Sequence, residues 1–361
     1  MKKILVTGAG GPAGVNVLRS LRDSEEEMKL YGTDISAYHV EFARPFLDDV
    51  FIVPRCTAPN YIEELNKIID EHGIEFVHTQ PDIEVKIISE KREQLHAKTY
   101  LPSKETVKIC HDKNLSAEVW DNNGFPTVKS IVLRDETLKE DMERAFQELG
   151  PNLWIRATQG AGGTGSTPCD SVDLGVHWIK YWRARGNKWV FIAQENLTGR
   201  NVAFQSVWKD GKLVTSQARE RLEYIYPYLA PSGVTGTPVV AATVNNDKVN
   251  EMATKAVLSI DKNASGVFCV DMKYNKEGTP MPTEINPGRF FTTSYFFSYA
   301  GGQYNVPYAN MPYMLVKLGF GDPIPPETKQ YSILPEGLHW IRHIDCSFHL
   351  IPKDKLMEEK F

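Results

Sequence analysis

The first part of the chain alternates between short apolar runs and longer segments with helical spacing. Three segments have a buried-strand pattern: KILVT, LYGTDIS and IEFVHTQ. Helical spacing marks residues 15–22, which follow a glycine-rich turn, and the segment YIEELNKIIDEH, which Gly73 closes. Because repeated strand–helix units build parallel sheets, we expect an α/β domain over residues 1–105.

The pattern changes near residue 105. A polar helix containing CHDKNLSAEVWDNNG precedes a second glycine cluster, TQGAGGTGS. After residue 188, strand-like segments are joined by the turn sequences KDGK and NKEG, which are typical of hairpins. We expect an α+β region with antiparallel strands, divided into a first lobe over residues 106–197 and a second lobe over residues 198–361. Residues 301–361 predict a closing helix followed by irregular structure.

Composition narrows the class of protein. With 361 residues, 42% hydrophobic and 24% charged, the chain suits two or three compact units that share a cleft. A net charge of −5 gives no overall electrostatic reason to expect a nucleic-acid partner, because such binding normally needs a basic face. The apolar run at the N-terminus is too short for a signal peptide or a membrane span. The cysteines form no CxxC pair, which favours a reducing, cytoplasmic location; they are Cys56, Cys110, Cys169, Cys269 and Cys346.

The first glycine cluster, TGAGGPAG, has the spacing of a dinucleotide-binding turn. Asp34 ends the next strand, where a ribose-binding acid would lie. An NAD(P)-dependent oxidoreductase of the short-chain type is therefore one hypothesis. Such an enzyme needs Tyr and Lys one helical turn apart, and the pairs with that spacing are Tyr100/Lys104, which encloses Pro102, and Tyr313/Lys317 near the C-terminus. Neither pair suits the role.

The second glycine cluster follows a strand that carries Arg156. Backbone N–H groups of such a loop can surround phosphates, and an arginine supplies paired hydrogen bonds to phosphate oxygens. A flexible surface hairpin is the alternative interpretation.

Two later strand segments, VDMK and PTEIN, carry oxygen ligands. Glu284 and Asn286 lie two residues apart and so share a face, and Asp271 can oppose them from the neighbouring strand. Two carboxylates and an amide oxygen are ligands that Mg²⁺ prefers together with nucleotide phosphates. A solvated sheet face is the alternative, although apolar Val270 and Ile285 disfavour it.

The order of these motifs over residues 3–300 resembles the ATP-grasp superfamily, and is most similar to half of the carbamoyl-phosphate synthase large subunit and its carboxylate–amine ligase relatives. The matching segments are an N-terminal βα domain, the pair Asp112–Lys113, WIRATQGAGGTG, FIAQENLTG, VDMK and EINPGR. The resemblance implies a Rossmann-like pre-ATP-grasp domain followed by an α+β ATP-grasp fold.

The resemblance also implies roles for single residues. Arg156 and Arg289 would be catalytic. ATP would be bound by Lys113, Arg156, Gly162, Gly163, Thr164, Gly165, Glu195, Leu197 and Asn201, and the metal by Asp271, Glu284 and Asn286. Three positions depart from the common pattern: Arg156 replaces a frequent Lys, Asp271 replaces Gln or Glu, and Arg289 comes one place later than usual.

The implied activity is ATP-dependent ligation of a carboxylate to an amine through an acyl phosphate, with ATP and two Mg²⁺ ions, or Mn²⁺, as cofactors. Small-molecule carboxylates and amines would be the partners, with no nucleic acid and no membrane, and a homodimer is left open. The alternatives are the NAD(P)-dependent oxidoreductase and a non-catalytic ATP-binding regulatory protein.

Four further features have competing interpretations. His339 and His343, with Asp345, have the spacing of a helical zinc site, but the sequence between them predicts a strand. The aromatic and basic segment HWIKYWRAR suits a packed helix better than single-stranded nucleic acid. Arg219 and Arg221 could contact phosphate or an acidic substrate, or form an ordinary charged sheet face. An acceptor pocket is expected near Gln80, Asp82 and Glu84, although the two acids could equally begin a helix.

Overall fold

The computed structural model of the protein describes residues 1–160 and 163–343. Gly162, Asp345 and Cys346, singled out above, lie outside the described residues. Within the described part, no helix is long and apolar enough to span a membrane.

The first domain is a parallel four-stranded sheet, in the order β3-β2-β1-β4, with helices beside it. This architecture confirms the expected α/β domain. Its elements are β1 (Lys2–Thr7), α1 (Pro12–Arg22), β2 (Met28–Asp34), α2 (Val40–Ala43), β3 (Asp49–Ile52), α3 (Tyr61–His72), β4 (Phe76–His78) and α4 (Asp82–Glu90).

Local sequence explains the limits of these helices. Helix α1 begins at Pro12, whose fixed φ suits a first helical turn, and it buries Val17, Leu18 and Leu21. Helix α3 ends at Gly73, which takes the left-handed conformation at φ 62° that a side chain would disfavour. The short strand β3 was not expected from the sequence.

Two helices, α5 (Lys104–Cys110) and α6 (Lys113–Asn122), lead into the small lobe. This lobe is a four-stranded antiparallel sheet in the order β5-β8-β6-β7. The aromatic residues of HWIKYWRAR lie on α8, where Trp178 and Trp182 pack against the lobe's core as expected for a helix. The elements are β5 (Ser130–Leu133), α7 (Leu138–Leu149), β6 (Leu153–Ala157), β7 (Thr167–Cys169), α8 (Val172–Ala184) and β8 (Phe191–Glu195).

The large lobe is built on a six-stranded antiparallel sheet in the order β13-β12-β9-β10-β11-β14. Asp210 and Gly211 both have positive φ in the KDGK turn between β9 and β10, as a tight hairpin requires. Its elements are β9 (Asn201–Lys209), β10 (Lys212–Tyr224), β11 (Pro238–Val244), α9 (Asp247–Ile260), β12 (Gly266–Tyr274), β13 (Pro280–Pro287), α10 (Ser294–Gln303), α11 (Met311–Phe320) and β14 (His339–Ile341).

Several helices pack outside the part of the chain in which they occur. Trp120 of α6 is buried against the large lobe and donates its indole N–H to the carbonyl oxygen of Ala256 at 2.9 Å. Helices α10 and α11 return to the first domain, where Phe297 and Met314 share one core with Ile4 of β1. Packing therefore joins the first domain and the large lobe into one framework beside the cleft.

Candidate active site

The carboxylates of Asp271 and Glu284 face each other from β12 and β13. The two residues are direct partners in the antiparallel register, and Asn286 donates its amide N–H to the carboxylate of Asp271 at 3.3 Å. All three lie in a cleft between the small and large lobes. The structure thus brings together the three residues that the sequence placed on one sheet face.

Two cations from other elements contact Glu284. Lys113 Nζ lies 3.1 Å and Arg156 Nη2 lies 2.9 Å from one of its carboxylate oxygens. Burial alone would raise the pKa of Glu284, but the charges of Lys113 and Arg156 outweigh it and hold that pKa below its usual range. Asp271 in turn is paired with Arg221 of β10. Glu284 is therefore ionised and surrounded by donors, whereas burial raises the pKa of Asp271 in spite of the charge of Arg221.

Asp112 positions Lys113. Its side chain caps α6 by accepting from the backbone N–H of Asn114 at 2.9 Å, and its second oxygen accepts from Thr158 at 3.1 Å and from Gln159 at 3.0 Å. One carboxylate therefore fixes both the first turn of α6 and the start of the glycine loop. As a result the Lys113 ammonium is buried in the site and donates to the carbonyl oxygen of Gly160 at 3.2 Å.

The glycine loop follows β6 directly after Arg156. Gly163 and Gly165 have positive φ, while Thr164 is exposed. The carbonyl oxygen of Val234 lies 2.6 Å from the position that a Cβ on Gly163 would take, so only glycine allows the loop to approach the segment between β10 and β11. Gly163 and Val234 both line the cleft, which the two loops flank.

The opposite end of the cleft is apolar and lies at the connection between the lobes. Glu195 and Leu197 line it where β8 passes into β9, together with apolar side chains that can contact a flat ring: Val128, Trp154 and Met272. Asn201, at the start of β9, lies between Arg221 and Tyr224, with 3.0 Å hydrogen bonds to each. The adenine hinge at Glu195 to Leu197 and the ribose contact at Asn201 stay predictions.

Arg289 reaches the site in spite of its shifted position in the sequence. Gly288 takes φ 73°, and a Cβ there would lie 2.8 Å from Leu101. The left-handed turn absorbs the extra residue, so that the guanidinium of Arg289 is paired with Asp82 and donates to the Asn286 side-chain oxygen.

The remaining acceptor-pocket residues are engaged within the protein. Gln80 donates to the carbonyl oxygen of Phe290 at 2.6 Å. Asp82 and Glu84 lie in the first turn of α4, and Glu84 is buried. Of the three, Asp82 therefore contacts the cleft through Arg289.

Other parts of the protein occupy the space beside the first glycine cluster. The carboxylate of Asp34 accepts from the backbone N–H groups of Gly10 and Ser36, each at 3.1 Å. The carbonyl oxygen of His39 lies 2.1 Å from the position of a Cβ on Gly10. The glycines therefore permit close packing of backbone, and the acid expected to bind a ribose already has internal partners.

Arg219 and Arg221 lie inside the cleft. Arg219 is 1% exposed, and the Phe291 ring centroid lies 4.7 Å and 5.3 Å from the two guanidinium groups. An ordinary charged sheet face is therefore wrong for them. Lys273 also lines the cleft and was missed, although its place two residues after Asp271 could have indicated it.

His339 and His343 do not share a helix, as the helical zinc site would require. His339 lies in β14, is exposed, and contacts the carbonyl oxygen of Gly337 at 2.8 Å. Among the residues with described positions, no three His, Cys, Asp or Glu side chains form a metal-binding group.

The cleft residues fit Mg²⁺ by their chemistry. Asp271 and Glu284 supply carboxylate oxygens and Asn286 an amide oxygen from one sheet face, and magnesium commonly completes such a set with water and phosphate. The nearby cations Lys113 and Arg156 suit the phosphates that would accompany the ion.

The fold of this chain recurs in solved enzyme structures. The biotin carboxylase domain of 2-oxoglutarate carboxylase from Hydrogenobacter thermophilus, solved as a dimer with MgADP, ADP and bicarbonate, has a TM-score of 0.67 at 15% identity, over 94% of this chain and 73% of its own. Carboxyaminoimidazole ribonucleotide synthase from Aspergillus clavatus, in complex with ATP, has a TM-score of 0.66 at 16% identity, over 91% and 79%. An L-amino acid ligase from Bacillus licheniformis has a TM-score of 0.60 at 12% identity, over 88% and 74%.

The architecture shared with these enzymes is the ATP-grasp fold, which confirms the expected pre-ATP-grasp domain followed by two ATP-grasp lobes. Within it, residues 4–100 match the PylC-like N-terminal domain family. No curated protein matches the sequence of this chain.

Proposed function

We propose that this protein is an ATP-dependent carboxylate–amine ligase that works through an acyl phosphate with Mg²⁺. The observation that carries the proposal is the facing pair of Asp271 and Glu284 in the cleft, with Lys113 and Arg156 in contact with Glu284. Carboxylate oxygens that could bind a metal therefore lie beside cations that could bind phosphates.

The proposed position of ATP follows the cleft from end to end. Adenine lies among the apolar side chains at Glu195–Leu197, and the ribose lies near Asn201. The phosphates extend toward Lys113, Arg156 and the loop that contains Gly162 to Gly165. Solved structures with the same fold hold ATP or MgADP, which supports this assignment. Bound Mg²⁺ would supply charge neutralisation for the phosphate oxygens.

The proposed chemistry has two steps. A carboxylate oxygen of the acceptor attacks the γ-phosphorus, the bond to the bridging oxygen breaks, and ADP leaves. An amine nitrogen then attacks the acyl carbon, phosphate leaves, and the amine loses a proton. Lys113, Arg156 and Arg289 are proposed to bind the oxygens on which charge increases, which lowers the barrier without a protein nucleophile.

The division at residues 105 and 197, a homodimer and a cytoplasmic location remain predictions. Light scattering would test the dimer. The oxidoreductase alternative is disfavoured because Asp34 and Gly10 are engaged with each other.

The test is a screen for ADP release with MgATP, a panel of carboxylates and hydroxylamine. Hydroxylamine converts an acyl phosphate to a hydroxamate, which is measured by its iron complex. We expect carboxylate-dependent ADP release with an equal amount of hydroxamate. Stabilisation of the protein against heat by NADH, with none by MgATP, would contradict the proposal.

A further inference from the structure

Four cations beside Asp271 and Glu284 form ion pairs, and the neighbouring Arg219 does not. Arg221 contacts Asp271, and Arg289 contacts Asp82, as Lys113 and Arg156 contact Glu284. Within the described part of the chain, the side chain of Arg219 has no hydrogen bond or ion pair, and its buried Nε and Nη1 atoms have no acceptor.

This isolation is unusual because the side chain is almost completely buried. Arg219 is 1% exposed, and its guanidinium lies against the ring of Phe291. Burial, and then the charge of Arg221, lower the pKa of Arg219 to about 9, so the group is still a cation at neutral pH. A buried charge without a counter-charge destabilises a folded protein. Such a group is expected where an anionic ligand completes the pairing.

The sheet register places this cation close to the proposed reaction centre. Ala203 of β9 is the direct partner of both Arg219 on β10 and Asp271 on β12, and Asp271 is the partner of Glu284 on β13. The three charged residues therefore lie in one row across the sheet. At roughly 4.8 Å per strand, the backbone of Arg219 is about 10 Å from that of Asp271. Arginine and substrate side chains easily span this distance.

We propose that Arg219 binds the carboxylate of the acceptor substrate and holds it beside the γ-phosphate. The inference rests on the proposed function and adds to it the residue that recognises the acceptor. Arg219 lies three strands from Glu284 in the same row of the sheet, and the ring of Phe291 lies against its guanidinium. The bound carboxylate supplies the counter-charge that the protein lacks.

The experiment uses Arg219→Met, Arg219→Lys and, as a matched control, Arg200→Met. Arg200 lies immediately before β9 and forms a half-exposed ion pair with Glu220. Calorimetry measures the affinity of each protein for a non-hydrolysable ATP analogue with Mg²⁺. The thermal midpoint of the analogue-loaded protein is then measured with L- and D-amino acids and dicarboxylates, and ADP release is measured with the carboxylates that raise it.

We expect at least one carboxylate to raise the midpoint of the wild type and of Arg200→Met. Arg219→Met should bind the analogue like the wild type, yet lose the midpoint response. Its KM for that carboxylate should rise about ten- to hundredfold, as loss of charge-assisted hydrogen bonds predicts, and Arg219→Lys should recover part of the loss. Without ligands, Arg219→Met should melt above the wild type because an unpaired buried charge has been removed.

Three results would overturn the assignment. In the first, no carboxylate stabilises the wild type. In the second, Arg219→Met weakens analogue binding as strongly as it weakens the carboxylate response, which would place the guanidinium on the ATP phosphates. In the third, Arg219→Met melts well below the wild type, which would make the arginine structural. A wild type that does not bind the ATP analogue overturns the proposed function itself.

Discussion

At the scale of single residues, the site depends on charges that compensate one another across separate lobes. Glu284 comes from the large lobe, Arg156 from the small lobe, and Lys113 from the helix that precedes it. Burial would otherwise protonate the carboxyl group, so the two cations keep it ionised and ready to exchange partners. Under the proposed function, the same cations would become available to phosphate once a divalent ion holds the carboxylate.

Replacement of Arg156 by Met should lower kcat/KM for ATP by a factor equivalent to about 2 to 4 kcal/mol, because a preorganised charged donor is removed. Arg156→Lys should recover part of the activity, since it keeps the charge and loses the planar geometry. Steady-state kinetics at saturating acceptor measure the effect. Arg185→Met, on the exposed surface of the same lobe, is the control, and full activity in Arg156→Met would remove this arginine from the site.

Glu284→Gln and Asp271→Asn keep the shape of the donor set and remove one charge each. Both should raise the magnesium concentration needed for half-maximal turnover, and the double variant should be non-additive because the two residues act through the same ion. Glu277→Gln, in the exposed turn between β12 and β13, is the control. Unchanged magnesium dependence in both single variants would make the facing carboxylates structural.

At the scale of elements, helix ends and turns position the charged side chains in the cleft. Asp112 caps α6 and accepts hydrogen bonds from the start of the glycine loop, so that one side chain positions both that loop and Lys113. Gly288 likewise positions Arg289, because its left-handed backbone conformation lets the guanidinium contact Asn286 in the cleft. Neither residue needs to touch a ligand in order to determine the site.

Asp112→Asn should separate capping from loop anchoring. Asparagine still accepts from the N–H of Asn114, but its amide nitrogen cannot accept from Thr158 or Gln159. We expect stability to change little and KM for ATP to rise by a factor equivalent to about 1 kcal/mol. Asn246→Ala, which removes the cap of α9, should instead lower stability by about 1 kcal/mol and leave KM unchanged. The reverse pattern would contradict the anchoring role.

At the scale of the whole molecule, the last helices hold the first domain and the large lobe together. The amide of Asn310 donates to the carbonyl oxygen of Ser20 at 2.6 Å, and the hydroxyl of Ser298 donates to that of Ser20 at 2.8 Å. Phe296 and Phe297 fill the same core from α10. The first domain therefore depends on chain that comes nearly three hundred residues later. This packing favours cooperative unfolding of the first domain and the large lobe.

The buried carboxyl of Glu84 should make the stability of the protein depend on pH. Burial raises its pKa to about 7 from 4.5, with a smaller contribution from Asp34 in the same direction. Between about pH 4.5 and 7 Glu84 binds more protons in the folded protein than in the unfolded chain, so its own contribution to stability falls as pH rises. The full effect is about 3 kcal/mol. Burial lowers the pKa of His78 and of His111 to about 4, and these two groups act in the opposite direction.

Glu84→Gln removes this contribution, so the stability of the variant relative to the wild type should rise from pH 4.5 to 8, as measured by denaturant unfolding of both proteins. Glu63→Gln, on the exposed face of α3, should follow the wild type. Parallel curves for wild type and Glu84→Gln would show that Glu84 has an ordinary pKa.

The sequence determined the local structure and the position of Asp271, Glu284 and Asn286 on one sheet face. Periodicity gave the parallel sheet, the hairpins and the shared face of Glu284 and Asn286, because strand and helix spacing are properties of adjacent residues. The tertiary structure decided which distant charges meet. The pairing of Arg289 with Asp82, the burial of Arg219 against Phe291, and the internal use of Asp34 all join segments far apart in the chain or depend on backbone closure. Such contacts follow from how the lobes pack, and no local pattern encodes them.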